Sequence, residues 1–134
     1  MRGPSQWSVG DRELMAAVVS QANQCSFCVA AHSATSSQAY GDPATVQAVL
    51  ADLDTAPISE PLRATLRMLT KPCTPDDIRA PLAEGVTPQQ ITDALNVALV
   101  FGITNRLANA FGFDVAGPEA MNAGAKHLLK RGYR

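Results

Sequence analysis

Helix-start and helix-stop residues recur along this chain at intervals of about one helix each. Thr87-Pro88-Gln89-Gln90 is the clearest start: a hydroxyl at the cap, proline at the first helical position, glutamine at the third. Ser8 stands before Asp11 in the same relation, and Asp42-Pro43 pairs an acceptor cap with a proline. Gly41, Gly85 and Gly112 sit where helices favour glycine as a stop. Between these marks the apolar residues fall at helical spacing: Leu14, Met15, Val18, Val19 and Ala22, then Val46, Val49, Leu50 and Leu53, then Leu62, Leu66 and Leu69. The pattern predicts an all-α chain with helices over 8–22, 25–40, 43–53, 59–70 and 88–111. A short helix opens at Thr74-Pro75-Asp76-Asp77 and ends at Gly85. Residues 54–58 read as a linker, 71–73 as a loop, and the stretch from Gly117 as a loop followed by one short helix. Ile91, Leu95, Ala98, Leu99 and Gly102 lie along one face of the long helix. Short junctions favour antiparallel neighbours.

Composition agrees. Twenty-two of 134 residues are alanine and 5% are aromatic, a balance that leans helical. The length suits one domain over 1–134, with a core at about 7–115 and a basic tail at 117–134. Eleven Lys and Arg against twelve Asp and Glu give a net charge of −1, which argues against nucleic acid or an anionic membrane as the main partner. Residues 1–13 lack a signal-peptide core, and the greasiest stretch, 94–103, is shorter than the roughly 20 residues a bilayer needs. A cytoplasmic location is expected. Charged residues are 17%, below the usual figure of about 25%, which suggests that another subunit covers some surface.

The chemistry is concentrated in Cys25-Ser26-Phe27-Cys28-Val29-Ala30-Ala31-His32. On a helix, residues three and four apart share a face, so Cys25, Cys28 and His32 form one stripe. A thiol in the first turn has a lowered pKa, which favours Cys25 as the reactive thiolate. A histidine one turn away can take the proton of Cys28, which favours Cys28. If the first two helices form an antiparallel hairpin about Asn23-Gln24, Glu13 lies level with the His32 end of the stripe. The order is then Glu13, His32, Cys28, Cys25, with the carboxylate orienting the imidazole.

Redox chemistry competes here with zinc binding and with inert burial. A zinc site would take Cys25, Cys28, His32 and a fourth ligand such as Glu13, but the second ligand pair usual in structural sites is missing. Haem attachment needs histidine directly after the second cysteine, where Val29 stands. Free cysteines are commonly buried and inert, yet two cysteines and a histidine on one stripe favour redox work.

The run from Arg12-Glu13-Leu14 through Val19-Ser20-Gln21-Ala22-Asn23-Gln24-Cys25-Ser26-Phe27-Cys28-Val29-Ala30-Ala31-His32-Ser33 resembles the core of the AhpD-like alkylhydroperoxidase family, within the carboxymuconolactone decarboxylase superfamily. The family's mark is a glutamate twelve residues before a C-x-x-C, with histidine four after the second cysteine; Glu13, Cys25, Cys28 and His32 match it. Residues 85–112 resemble the family's final core helix, and the whole looks closest to the peroxidase-related branch. The resemblance implies an all-helical domain with the C-x-x-C at the start of the second helix, and a metal-free thiol peroxidase site without a bound cofactor. By that analogy Cys28 is the peroxidatic cysteine, Cys25 resolves it as a disulfide, and Glu13 and His32 relay protons. An external dithiol, protein or lipoyl-type, would reduce the disulfide, and the chain would be a homo-oligomer, a trimer or hexamer. Two features depart from the pattern: Phe27 stands where some members carry histidine inside the C-x-x-C, and the preceding helices of longer members are missing. The rival readings are a thiol–disulfide oxidoreductase with little peroxidase activity and a non-enzymatic zinc-binding or redox-sensing module.

Other polar residues have plainer expectations. Cys73 follows a proline in a loop and is a bystander. His127 lies among Lys126, Lys130, Arg131 and Arg134 in a solvated basic end. Trp7 is expected in the core. Tyr40 and Ser33 are expected to serve helix packing and capping, with lining of the thiol site as the other option. Asn105 and Arg106 interrupt an apolar helix, and Arg106 is expected in an exposed salt bridge, with pairing to a carboxylate at a subunit interface as the other option.

Overall fold

Both reciprocal caps form as the sequence predicts. Ser8 and Asp11 exchange hydrogen bonds of 2.9 and 3.0 Å, and Thr87 and Gln90 exchange bonds of 2.9 and 3.1 Å. The structure is a computed structural model and describes residues 1–133. Among these the chain is all-α: α1 (Val9–Ala22), α2 (Ser26–Tyr40), α3 (Pro43–Ala51), α4 (Glu60–Leu69), α5 (Arg79–Ala83), α6 (Pro88–Ala110) and α7 (Pro118–Arg131).

α1 is the central rod. Every residue from Arg12 to Ser20 is buried, because α2, α3, α4 and α6 all pack around it. Small residues make this possible. Gly10 lets the Tyr40 ring lie directly on the α1 backbone, where an added Cβ would stand 2.6 Å from a ring carbon. The Tyr40 hydroxyl then donates to Asp11 at 2.6 Å, and Ser36 donates to the Gly10 carbonyl at 3.0 Å. Tyr40 therefore pins the α1–α2 hairpin at the far end from the cysteines. Trp7 is buried as expected and donates through Nε1 to the Gln90 carbonyl, 2.8 Å away.

The α1–α2 turn closes as a Schellman motif. The amide of Gln24 donates to Gln21 O at 3.0 Å and that of Cys25 to Ser20 O at 2.9 Å. Gln24 holds φ +55°, a left-handed conformation that glycine usually fills. No glycine announces this turn, yet it fixes where Cys25 stands.

Several elements depart from the sequence expectation. α3 stops at Ala51 and not near Leu53, because Asp52 turns back to accept from the Asp54 amide at 2.9 Å and from Thr55 Oγ1 at 2.8 Å. The short fifth helix starts at Arg79 and not at Thr74. Pro81 lacks an amide proton, and its ring would strike the carbonyl four residues back, so it is tolerated only in a helix's first turn. The segment 54–58 is no loose linker: Arg63, 7% exposed, donates to the carbonyls of Leu53, Asp54, Ala56 and Ile58. On α6 the inward residues are Ile91, Ala94, Val97, Phe101, Asn105 and Ala108. Of the face that the spacing marks, Ile91 is buried while Leu99 is 64% exposed. α6 carries apolar residues on two faces, so spacing alone could not select the inner one. α7 runs 14 residues, longer than expected, and docks on α2 through Ala125 while His127, Lys126, Lys130 and Arg131 stay exposed. No helix among the described residues is long and apolar enough to cross a membrane.

Gly10→Ala should destabilise the domain by about 1–3 kcal/mol, the usual cost of forcing a side chain into a packed contact. Thermal denaturation of the single variant and of Gly10→Ala with Tyr40→Leu checks this; removing the ring should restore part of the loss.

Candidate active site

The thiol end is built at the junction of α1, α2 and α6. Cys25 is the N-cap of α2 and Cys28 its third helical residue, the same relation that brings capping-box partners together. Both are buried and free, and they lie together in one buried cluster. Ala108 of α6 packs on them, with Phe27 at the edge of the cluster. Phe27 in turn meets Phe113, just beyond α6, edge to face at 5.3 Å. Cys25 thus lies just outside the first turn where the sequence reading placed it, and its side chain makes no cap hydrogen bond.

Cys28 is also not the acidic thiol that a reactive cysteine suggests. Burial pushes its pKa up to about 11; the adjacent Cys25 adds to the rise, and the Asn105 side chain opposes it. At neutral pH the resting group is a thiol, so reaction needs a base to remove its proton. Asn105 is 1% exposed and also ties two elements together. Its Nδ2 donates to Ser20 Oγ at 2.9 Å, and its Oδ1 accepts from Asn23 Nδ2 at 2.9 Å. The sequence reading noted Asn105 only as an interruption of α6. A single polar residue on the buried stripe of a long apolar helix was the available signal.

One turn along α2 lies His32, also buried. Its Nδ1 is 2.7 Å from Glu13 Oε2, so the hairpin register inferred from the sequence places Glu13 at the His32 end of the stripe. Glu13 is fully buried. Facing a carboxylate, Nδ1 carries the proton, which leaves Nε2 as the accepting nitrogen of the neutral ring. Phe101 of α6 stands edge-on to the imidazole at 4.5 Å.

Two further residues reach Glu13 that sequence reasoning did not find. The Tyr133 hydroxyl lies 2.8 Å from Oε1 and 2.9 Å from Oε2. Arg2 Nη1 lies 3.0 Å from Oε1, as a charge contact and not a well-directed hydrogen bond. Both sit far from the C-x-x-C in sequence, and no local spacing connects them to it. Burial raises the Glu13 pKa, but His32, Tyr133 and Arg2 together outweigh it and hold the carboxyl below its ordinary value of 4.5.

The remaining candidates lie elsewhere. Tyr40 is on the Asp11 end of the hairpin, away from the thiols. Ser33 follows His32, and its buried hydroxyl has no hydrogen-bond partner among the described residues. Cys73 is exposed in its loop. Arg106 is exposed and makes no salt bridge among the described residues, contrary to expectation; the sequence around it offers no carboxylate one helical turn away. Among the described residues no group of three His, Cys, Asp or Glu side chains is placed to hold a metal ion. The Glu13 oxygens are occupied by His32, Tyr133 and Arg2.

Residues 1–71 match the profile of the carboxymuconolactone decarboxylase family, and this segment contains Glu13, both cysteines of the stripe and His32. The chain belongs to that family. It falls among the AhpD-like members: a peroxidase-related protein of uncharacterised function from Silicibacter sp. superposes with a TM-score of 0.76 at 33% identity, over 82% of this chain and 61% of that one. A second, from Ralstonia eutropha, is described as an alkylhydroperoxidase AhpD core and an uncharacterised peroxidase-related protein. It superposes with a TM-score of 0.81 at 26% identity, over 93% of this chain and 68% of that one. The chain thus spans about three fifths of the Silicibacter protein's length. No curated protein matches it.

The Glu13 shift carries a pH signature. A carboxyl with a lowered folded-state pKa stabilises the fold above its unfolded value near 4.5, and this is lost as pH falls through the lower folded value. Glu13→Gln should lose about 2–3 kcal/mol at pH 7 and show a shallower fall of stability in acid, measured by urea unfolding across pH. In the reduced native protein, exposed Cys73 should react with iodoacetamide at least about tenfold faster than Cys28 at neutral pH, since Cys28 is buried and its thiolate scarce. Peptide mass spectrometry over time reads both rates.

Proposed function

We propose that this family member is a thiol-dependent peroxidase that reduces hydroperoxides through Cys25 and Cys28. The observation that carries the reading is the 2.7 Å Glu13–His32 contact, one turn from a cysteine that is protonated at rest. A buried thiol needs a base, and a carboxylate-held imidazole on the same helix face supplies one.

In this reading His32 takes the Cys28 proton as the thiolate attacks the terminal oxygen of the hydroperoxide. A sulfur–oxygen bond forms, the oxygen–oxygen bond breaks, and the leaving alkoxide takes the proton from the imidazolium to depart as the alcohol. Cys28 is then a sulfenic acid. The Cys25 thiol attacks that sulfur; a disulfide forms, and hydroxide leaves with the thiol's proton as water. An external dithiol returns two electrons and two protons by exchange. Glu13 stays ionised throughout and stabilises the transient imidazolium.

The second reading, a thiol–disulfide oxidoreductase with little peroxidase activity, draws on the pair of buried free cysteines in one cluster, which is sufficient for exchange with an external disulfide. A homo-oligomer fits the surface of α6, where Leu99, Ile103 and Leu107 are each more than half exposed in one apolar row that continues to Phe111.

One equivalent of organic hydroperoxide should convert the reduced protein to a form with a Cys25–Cys28 bond, seen by mass spectrometry. Cys25→Ser should accumulate a trappable sulfenic acid on Cys28, while Cys28→Ser should lose dithiol-dependent peroxide consumption by at least about a hundredfold. Turnover of a dithiol–disulfide pair without peroxide consumption would select the second reading.

A further inference from the structure

Glu13 belongs to α1 and His32 to α2, but the groups that complete the carboxylate's surroundings come from outside the hairpin. From α2 His32 faces it, from the segment before α1 Arg2, and from beyond α7 Tyr133; α6 contributes the Phe101 ring against His32. The approach of Tyr133 is built into the backbone. Gly132 ends α7 with φ 72° and ψ −160°, a region open essentially to glycine alone, and it turns the next side chain back toward the hairpin. The Arg2 guanidinium sits 5.5 Å over the Tyr133 ring, and its Nη2 reaches the Leu128 carbonyl of α7 at 3.4 Å. Arg2 and Tyr133 therefore brace one another above the same carboxylate. Tyr133 is 47% exposed while its hydroxyl meets a fully buried anion, an arrangement that hydrophobic burial alone does not explain. That hydroxyl also lies 3.3 Å from His32 Nδ1, close enough to compete for the same proton if Glu13 were displaced.

We propose that Tyr133 is a positioning residue of the thiol site: its hydroxyl, braced by Arg2, keeps Glu13 ionised and aimed at His32 Nδ1–H, so that Nε2 stays the nitrogen that receives the Cys28 proton. The inference rests on the thiol reading above and assigns α7 and its Gly132 turn a part in it. Removing the hydroxyl takes one donor from a buried carboxylate, and Glu13 then picks up a proton at higher pH. A protonated Glu13 no longer orients the imidazole as a base.

The test measures the rate at which Cys28 of the reduced full chain reacts with a pyridyl disulfide, from about pH 3 to about pH 8. The parent carries Cys73→Ser, which removes the exposed competitor. In Tyr133→Phe the acid fall of the rate should begin about one pH unit higher, leaving the rate about tenfold lower between the two limbs. Arg2→Gln should move the limb in the same direction, and Arg2→Lys should keep it near the parent. A Tyr133→Phe profile that superimposes on the parent, with an unchanged melting temperature, overturns the proposal. Should Tyr133→Phe not fold, Gly132→Ala and Arg2→Gln decide in the same way: a shifted limb supports the assignment and superimposed profiles overturn it. A parallel incubation of the parent with organic hydroperoxide keeps the two claims apart. Failure to form the Cys25–Cys28 bond removes the peroxidase reading, while the pyridyl profiles still decide the role of Tyr133.

Discussion

A carboxylate with no solvent exposure, at the centre of a helical domain, is the costliest group in this molecule, and the surrounding structure is arranged to satisfy it. An unpaired buried charge costs several kcal/mol. Glu13 avoids that only because His32, Tyr133 and Arg2 converge on its two oxygens. These partners lie on three separate stretches of chain, so the carboxylate couples the α1–α2 hairpin, the segment before α1 and the end of α7. The same convergence orients the imidazole, and the packing of the fold thereby sets the protonation geometry of the thiol site.

The sulfur end is governed by a different balance. Cys25 and Cys28 are set side by side by the α1–α2 turn and sealed by Ala108 and Asn105 of α6. Burial pushes the Cys28 pKa up to about 11, so the resting group at neutral pH is a thiol. It also makes the site dependent on the base one turn away. α6 ties the two ends together, with Phe101 against the imidazole and Asn105 against Cys28, on one inward stripe.

The interactions that place the hairpin are local and were legible in the residues. The Ser8–Asp11 and Thr87–Gln90 boxes, the Gly41 stop and the helical spacing of α1 all follow from short-range chemistry. So does the register that put Glu13 beside His32, because a two-residue break between antiparallel helices leaves little freedom. Pro81 is a local signal too, and it confines the start of α5 to Arg79 although Thr74 offers a helix cap. The turn at Gln24 was hidden, since glycine is its usual signal and the chain uses a strained glutamine.

By itself the sequence determined the helical class and the stripe of Cys25, Cys28 and His32, which depend on contacts within one or two helical turns, and the pairing of Glu13 with His32, which depends on one short turn between adjacent helices. Tertiary structure alone decided which face of α6 turns inward, and that Asn105 reaches Cys28. It also decided that Tyr133 and Arg2 close over Glu13 and that Cys28 is held as a thiol. Those outcomes depend on burial and on partners outside the local helical spacing, 101 residues apart for Tyr133 and His32. Periodicity reports which residues share a side of a helix, but only the packed neighbours determine what that side meets and how far water is excluded from it.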